Sequence, residues 1–340
     1  MKCEIITIYS FNYGNRLQNY ALQEVLKGLG VNTTTNRVTN NVALYIIKKI
    51  VKVIRNNSQQ DYFLRFDLKN IKFKYTSQNR IYNKKIDYYI AGSDQIWNPN
   101  FPFNSDREFL TFAPKQKKIA YAASIGINKL SEEQKGRFIR NLKDFKAISV
   151  RENDASVLIE RIIKTKPEVV LDPTMLLSKQ QWQEICKQSQ LKIKKPFIVK
   201  YFLGTRNKKI DYIIDLYAKN NGLDIIDIGE KCNYIIGPSE FVYLLQNSKM
   251  NFVDSFHGTV FSIIFNRPFY TFNRPDQQGF GNMNSRFDTV ISLFHLENRY
   301  VKDFDSFRID DSLCFEEANK ILKKEKNKSL EYLKKSLEVK

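Results

Sequence analysis

Val253-Asp254-Ser255-Phe256-His257-Gly258-Thr259-Val260-Phe261-Ser262-Ile263-Ile264-Phe265 begins as the end of an apolar strand, Met250 to Val253. It turns through small polar residues and continues as an apolar helix. A strand handing over to a helix in this way is the repeating unit of an α/β protein. His257 falls in the turn and is one of two histidines in the chain. Gly258 permits close backbone approach, and Thr259 is placed to cap the helix that follows. Ligands of α/β proteins bind at the carboxyl ends of strands. His257 therefore reads in two ways, as a ligand-facing group or as a core histidine bonded to a carbonyl.

The same alternation runs outward in both directions. Toward the N-terminus, apolar strands are expected at Glu4–Tyr9, Ile86–Ala91, Lys118–Ala123, Ala147–Val150 and Glu168–Leu171. The turn Ser10 to Asn15 leads into a helix with apolar positions Leu17, Ala21, Leu22, Val25, Leu26 and Leu29. Ser131 and Gln134 have the spacing of a capping box that opens a helix to about Phe145. Another helix starts near Asn153. The second half alternates in the same way: helix Lys179–Lys187, strand Phe197–Phe202, helix Lys208–Asn220, strand Asp224–Ile228 and a helix from Gly237-Pro238-Ser239 to Gln246. After the opening stretch come strand Phe269–Phe272, a Gly/Asn-rich loop to Asn284 and a helix Ser285–Phe294 closed by His295. A histidine at a helix end reads more readily as a cap than as a catalyst. Phe315–Val339 is a lysine-rich amphipathic helix.

This pattern predicts an α/β fold of two doubly wound, Rossmann-like domains, residues 1–174 and 175–314, followed by a terminal helix at 315–340. Two segments stand apart. Val42–Ile54 is basic with a wide apolar face; it fits either a packed lid or a helix lying on an anionic membrane surface. Asn56–Asn83 has no clear period and reads as an irregular insertion.

With 340 residues, 42% hydrophobic and 27% charged, the chain is globular in composition. Its net charge of +19 calls for an anionic partner. The excess is spread along the chain and no helix-turn-helix, zinc-finger or RNP-like pattern is present, so nucleic acid is not expected. Cys3, Cys186, Cys232 and Cys314 form no CxxC pair and read as reduced thiols. There is no HxxH motif, so no metal or cofactor is expected. No signal-peptide pattern and no apolar run of roughly 20 residues is present. The expected location is the cytoplasm, with peripheral contact at the inner membrane face.

Several residues sit where ligands are expected. The loop Asn12-Tyr13-Gly14-Asn15 has no GxGxxG, but its backbone and helix dipole suit an anion or a sugar hydroxyl. Gly92-Ser93-Asp94-Gln95-Ile96-Trp97 follows a strand directly. Asp94 and Gln95 suit sugar hydroxyls; Trp97 either stacks on a sugar ring or belongs to the core. Ser124 closes another strand. Arg151, at a strand end before a helix, suits a carboxylate or phosphate, or else pairs with Glu152 or Asp154.

Taken together and in order, these stretches resemble the polysaccharide pyruvyl transferase family. The resemblance spans most of the chain. It is carried by Asn12-Tyr13-Gly14-Asn15-Arg16-Leu17-Gln18-Asn19-Tyr20-Ala21-Leu22-Gln23, Ala91-Gly92-Ser93-Asp94-Gln95-Ile96-Trp97-Asn98-Pro99 and Tyr121-Ala122-Ala123-Ser124-Ile125-Gly126. Ser149-Val150-Arg151-Glu152, Leu171-Asp172-Pro173-Thr174, Gly237-Pro238-Ser239-Glu240-Phe241 and Asp254-Ser255-Phe256-His257-Gly258-Thr259 complete it. The pair Asn15-Arg16 departs from the smaller residues expected there.

The resemblance implies a GT-B-like fold. It also implies transfer of the carboxyvinyl unit of phosphoenolpyruvate to two hydroxyls of one sugar, giving a pyruvate ketal and phosphate. His257 matches the family's essential histidine and Arg151 its donor-binding arginine. Ser255, Gly258 and Thr259 fall on the donor side, and Asn12, Tyr13, Asn15, Gln18, Asp94, Gln95, Trp97 and Ser124 on the acceptor side. Some members carry an arginine where this chain has Ser255, so another cation is needed; Arg274 and Arg286 are the candidates. The partners implied are phosphoenolpyruvate and a glycan acceptor, a lipid-linked one included. The alternatives are a sugar-nucleotide-dependent glycosyltransferase of the same architecture and a non-catalytic glycan- or membrane-binding protein.

Overall fold

The computed structural model describes residues 1–39, 58–77, 81–101, 104–229, 232–274 and 284–339. The basic segment Val42–Ile54 and most of the loop before Asn284 lie outside the described residues. Two wholly parallel sheets organise the chain. In the first, β1 (Lys2–Ile6) lies between β2 (Asn32–Val38) and β4 (Tyr88–Gly92), with β3 (Phe73–Thr76) beyond β2. On the other side, β5 (Lys118–Ala123), β6 (Ala147–Val150) and β7 (Glu168–Val169) follow β4 in order. Register pairs Cys3 with Thr33 on one side and with Tyr88 on the other.

In the second sheet, β8 (Phe197–Tyr201) lies between β9 (Asp224–Asp227) and β10 (Asn251–Val253), with β11 (Phe269–Phe272) and β12 (Tyr300–Val301) beyond β10. The chain winds outward from β1 and from β8, then returns to the opposite flank of each. The order therefore reverses between β1 and β4 and again between β8 and β10. In doubly wound sheets such reversals open the crevices that hold ligands.

Helices cover both faces, as parallel strands buried on both sides require. Those that matter for the site are α1 (Tyr13–Gly28), α2 (Gln59–Asn70), α3 (Glu132–Leu142), α4 (Asn153–Ile163), α5 (Lys179–Cys186), α6 (Lys208–Asn220), α7 (Pro238–Asn247), α8 (Phe256–Phe265), α9 (Ser285–Leu293) and α10 (Glu316–Leu337). The capping box of α3 forms as expected: the Ser131 side chain accepts from the Gln134 amide, and the Gln134 side chain accepts from the Ser131 amide. In the second sheet's lead helix the cap differs from expectation. Ser255 is the N-cap of α8 and accepts from the Gly258 amide, while Thr259 lies inside the helix, its hydroxyl bonded to the Ser255 carbonyl and near Thr271. His257 consequently belongs to the first helical turn, not to the turn before it.

Residues 58–76, read as irregular, form α2 and the edge strand β3. Ser58 and Asp61 make a reciprocal capping box at the start of α2. Its amphipathic face is short, and Phe63, Leu64 and Phe66 bury it. Strand β2 also escaped the sequence reading. Its residues Asn-Thr-Thr-Thr-Asn-Arg-Val are mostly polar, yet Thr33, Thr35 and Asn36 are buried. Their polar atoms are met internally, Thr35 by Asn19 and Gln23, and Asn36 by Glu4.

The sheets are joined by one continuous apolar cluster rather than by a bare linker. Tyr13 stacks on Phe241 with ring centroids 4.6 Å apart and planes 8° from parallel. Trp182 of α5 meets Phe261 of α8 edge-on at 4.8 Å. The terminal helix α10 returns to the first sheet, where Tyr332 donates to the Ala120 carbonyl and Ser329 accepts from the Leu171 amide, both at 3.0 Å. Beyond its end, Glu338 pairs with Lys146. Among the described residues no helix is long and apolar enough to cross a membrane.

Candidate active site

A cavity of about 290 Å³ lies where the two strand-order reversals face each other. The first sheet contributes Ile8, Ser10, Asn12 and Asn15 from beyond β1, and Asp94, Gln95 and Phe101 from beyond β4. The second contributes Leu203 from beyond β8, Ser255, Phe256 and His257 from beyond β10, Arg274 from beyond β11, and Arg286 from α9.

One wall is cationic. Arg286 is buried, and burial, with Arg151 and Arg274 nearby as like charges, pushes its guanidinium down to about 9. An anion in the cavity would relieve that strain. Arg274 is partly exposed and anchored: its Nε donates to the Asp254 carbonyl at 2.9 Å. Asp254 is in turn bonded through both carboxylate oxygens to the amides of Leu203 and Gly204, at 2.6 and 2.7 Å. Burial raises the Asp254 carboxyl, opposed by Arg274 and these amides. The loops after β8, β10 and β11 are thus tied together behind the cationic wall.

The opposite wall is polar and fixed. Ser10 donates to the Asn15 side-chain carbonyl, and Asn15 donates through its amide to Asp94. Asp94 and Gln95 both adopt positive φ, 33° and 52°. Non-glycine residues in this region are uncommon, cost on the order of 1–3 kcal/mol each and cluster at functional sites. The strain turns both side chains of this loop to the cavity, where Gln95 also accepts from Asn98 at 2.8 Å.

Behind the cavity runs a buried charge network. Arg151 Nη1 donates to Asp172 Oδ2 at 2.8 Å, and Arg151 Nη2 lies 3.5 Å from Asp94. Its guanidinium also covers the Phe256 ring at 4.1 Å. Burial works against the Arg151 charge, but Asp172, Asp94 and Glu152 more than offset it. Asp172 Oδ2 is 3.7 Å from His257 Nε2.

The site residues expected from sequence divide into two groups. Asn12, Asn15, Asp94, Gln95, Ser255, His257, Arg274 and Arg286 meet in the cavity. The others do not line it. Arg151 sits one layer deeper, paired with Asp172 and covered by the Phe256 ring, and lines a separate cavity. Gln18 is buried on α1 and donates to Thr7. Tyr13 is a packing residue between the sheets, because its ring is stacked on Phe241 and its hydroxyl accepts from Gln59. Gly258 packs against Val253, and Thr259 faces Thr271. Ser124 is wholly buried; its carbonyl accepts from the Trp97 amide.

Trp97 is a core residue and not a sugar platform. It is fully buried, its ring is stacked with Phe109 at 5.8 Å, and its indole N–H donates to the Glu108 carbonyl. Phe101, four residues on, does reach the cavity, as does Phe256 from the other sheet. Trp97→Phe is accordingly expected to cost about 1–2 kcal/mol of stability through lost volume and a stranded carbonyl. Thermal unfolding should report that loss while KM for the acceptor stays unchanged; a raised KM at unchanged stability would contradict the assignment.

Sequence reasoning missed Asp172, Ser10 and Phe101 as site residues and weighed Gly14 only as part of the loop Asn12–Asn15. Asp172 and Gly14 both lie inside stretches that carried the family resemblance. Among the described residues no group of three or more His, Cys, Asp or Glu side chains is arranged to hold a metal ion.

Two Rossmann-like sheets facing each other across a cleft, with a terminal helix folded back onto the first, define a GT-B-type architecture. The UDP-N-acetylglucosamine 2-epimerase of Rickettsia bellii shares it at a TM-score of 0.52 and 10% identity, over 99% of this chain and 96% of that one. The UDP-GlcNAc 2-epimerase of Methanocaldococcus jannaschii does so at 0.51 and 12%, over 97% and 92%. Such low identities speak to fold alone. No curated protein matches the chain in sequence. Residues 12–276 match the family model of polysaccharide pyruvyl transferase, and the chain belongs to that family. It is therefore a transferase of polysaccharide pyruvylation.

Proposed function

We propose that the protein transfers the carboxyvinyl carbon unit of phosphoenolpyruvate onto two hydroxyls of one sugar in a glycan, forming a pyruvate ketal and releasing phosphate. The observation that carries this reading is the composition of one cavity. His257 and two arginines stand on one wall, and neutral or charge-compensated hydroxyl-binding groups on the other.

Phosphoenolpyruvate brings a carboxylate and a phosphate, and Arg274 and Arg286 are the cations that meet them. In the first step a proton is added to the methylene carbon, making the methyl group, and one sugar hydroxyl adds to the neighbouring carbon while losing its proton. The bond from that carbon to the phosphate oxygen then breaks, and phosphate leaves with the bonding pair. The second hydroxyl adds to the same carbon and loses its proton, closing the ketal. Two hydroxyl protons are released overall; one ends on the methyl group and one on phosphate. His257 is the group placed to donate to carbon and to accept from oxygen in turn. The arginines stabilise the departing phosphate. Asn12, Asn15, Asp94 and Gln95 orient the two hydroxyls.

In this reading the acceptor is a glycan of surface polysaccharide synthesis, including a lipid-linked one at the cytoplasmic face of the membrane. The net charge of +19 supports contact with that surface. The reaction needs no metal. Turnover of phosphoenolpyruvate with a panel of glycans, followed by phosphate release and the ketal methyl resonance, tests the proposal. Phosphate release is expected to persist with a chelator present. Release of a nucleoside diphosphate from a sugar nucleotide, with phosphoenolpyruvate untouched, would replace this reading by glycosyl transfer.

A further inference from the structure

His257 and the groups around its ring come from different sheets. The imidazole rises from the first turn of α8 behind β10, Gly14 lies in the first turn of α1 behind β1, and Asp172 follows β7. His257 Nε2 is buried without a hydrogen-bond partner. The carboxylate oxygen it faces is Asp172 Oδ2, 3.7 Å away. Asp172 cannot readily turn. Its Oδ1 accepts from the Thr174 amide at 3.0 Å and the Thr174 hydroxyl at 2.7 Å; its Oδ2 accepts from Ser93 at 2.9 Å and Arg151 at 2.8 Å. On the other edge of the ring, a Cβ placed on Gly14 would lie 1.9 Å from His257 Nδ1. Only glycine leaves that nitrogen room.

We propose that Asp172 is a positioning residue for His257: its carboxylate selects the tautomer with hydrogen on Nε2, and Gly14 keeps the Nδ1 lone pair open to the cleft. An ionised carboxylate can accept but not donate, so the nearer ring nitrogen must carry the hydrogen. The opposite tautomer would set a buried lone pair against a buried negative charge, which is costly away from water. Burial alone would raise the Asp172 carboxyl, but His257, Arg151 and Thr174 outweigh it and hold the group far below the ordinary range. The separation of 3.7 Å is longer than a hydrogen bond, and in this proposal it closes to one when the cleft is occupied, as catalytic contacts commonly tighten on loading. The orientation of the imidazole is then set by the contact between two sheets, not by either sheet alone.

The kinetic arm of the test rests on the pyruvyl-transfer reading; the spectroscopic arm does not. With only two histidines, the ¹⁵N-histidine spectrum of the whole chain is directly assignable. The exposed His295 signal is identified by its loss in His295→Gln. His257 is expected to show a fixed Nε2–H pattern in the unaltered protein. An Nδ1–H pattern, or the averaged pattern of a free imidazole, would overturn the proposal with no site variant needed. In Asp172→Asn the His257 pattern is expected to lose that fixed form while His295 stays unchanged. Phosphate release should fall on the order of 100-fold at little altered KM for phosphoenolpyruvate. An unchanged His257 spectrum in a folded Asp172→Asn protein would also overturn it, whatever the turnover. Gly14→Ala supplies a second variant: its Cβ crowds Nδ1, so the His257 signals should shift, and unshifted signals count against the role given to Gly14. If the unaltered protein ignores phosphoenolpyruvate, the functional reading fails while the tautomer assignment stands or falls on the spectrum.

Discussion

Replacing His257 by glutamine is expected to lower phosphate release from phosphoenolpyruvate by about 10³-fold or more, as loss of a positioned proton carrier does. The chemistry asks one group to give a proton to carbon and to take protons from two oxygens. A glutamine amide fills a similar space and keeps hydrogen-bonding capacity, but it is neither an acid nor a base near neutral pH. The fold should survive. His257 sits in the first turn of a helix capped by Ser255, and its packing partner Gly14 leaves room around it. Circular dichroism and thermal unfolding should therefore stay close to those of the unaltered protein, and phosphoenolpyruvate should still bind. Near-normal turnover in this variant would end the role given to His257.

Arg286→Met is expected to act in two opposite directions. It should weaken phosphoenolpyruvate binding on the order of 100-fold, the scale of losing a buried charge that meets an anion. It should also stabilise the ligand-free protein. The sign follows from the guanidinium's position at about 9, below its ordinary 12.5, caused by burial and by the neighbouring charges of Arg151 and Arg274. Between those two values the unfolded chain holds a proton that the folded chain does not, so this group's contribution makes stability rise with pH there. Below about 9 both states are protonated, and burial beside Arg151 and Arg274 costs the folded state, offset in part by Asp94 and Glu152. Methionine removes that cost and keeps much of the volume. The melting temperature without ligand should rise by about 2–4 °C for each kcal/mol recovered. Added phosphoenolpyruvate should raise it further in the unaltered protein and little in the variant. A variant that melts lower and binds the donor normally would contradict both halves. Arg274 is a poorer test, because its Nε also holds the Asp254 carbonyl and removing it loosens the loop.

The large features of the fold were legible because they are written in apolar periodicity. The buried strands at β1, β4, β5, β8, β10 and β11 are mostly apolar, broken by single polar residues such as Glu4, Lys200 and Thr271, and α1, α3, α5 and α7 begin at caps or a proline that the sequence shows. Strand β2 carries no such signal. Its buried threonines and asparagine are satisfied by side chains up to 32 residues away in sequence, a fact no local window contains. Residues 58–76 were misread because the buried apolar positions of α2 are few, Phe63, Leu64 and Phe66, and give no clear helical period. At α8 the cap was expected four residues late, at Thr259 instead of Ser255, since the two have similar capping chemistry and only the backbone decides between them.

The candidate site was legible where side chains follow strands directly, as at Asn12, Asn15, Asp94, Gln95, His257 and Arg274. It was not legible where burial decides the role. Trp97 and Phe101 are both aromatic and four residues apart; the tertiary fold puts the first in the core and the second at the cavity. Arg151 was placed at the right strand end, but its carboxylate neighbours draw it one layer behind the cleft. Asp172 gained a role only when the second sheet brought His257 to within 3.7 Å of it.

The most direct test of pyruvyl transfer in this cleft is a single reaction of the protein with phosphoenolpyruvate and a glycan acceptor, read at once for phosphate and for the methyl resonance of a ketal. Both are expected to appear in equal amounts, both only when the acceptor is present, and both are expected to be all but lost with His257→Gln. Phosphate without the ketal methyl, or a glycan modified from a sugar nucleotide while phosphoenolpyruvate is left intact, would contradict it.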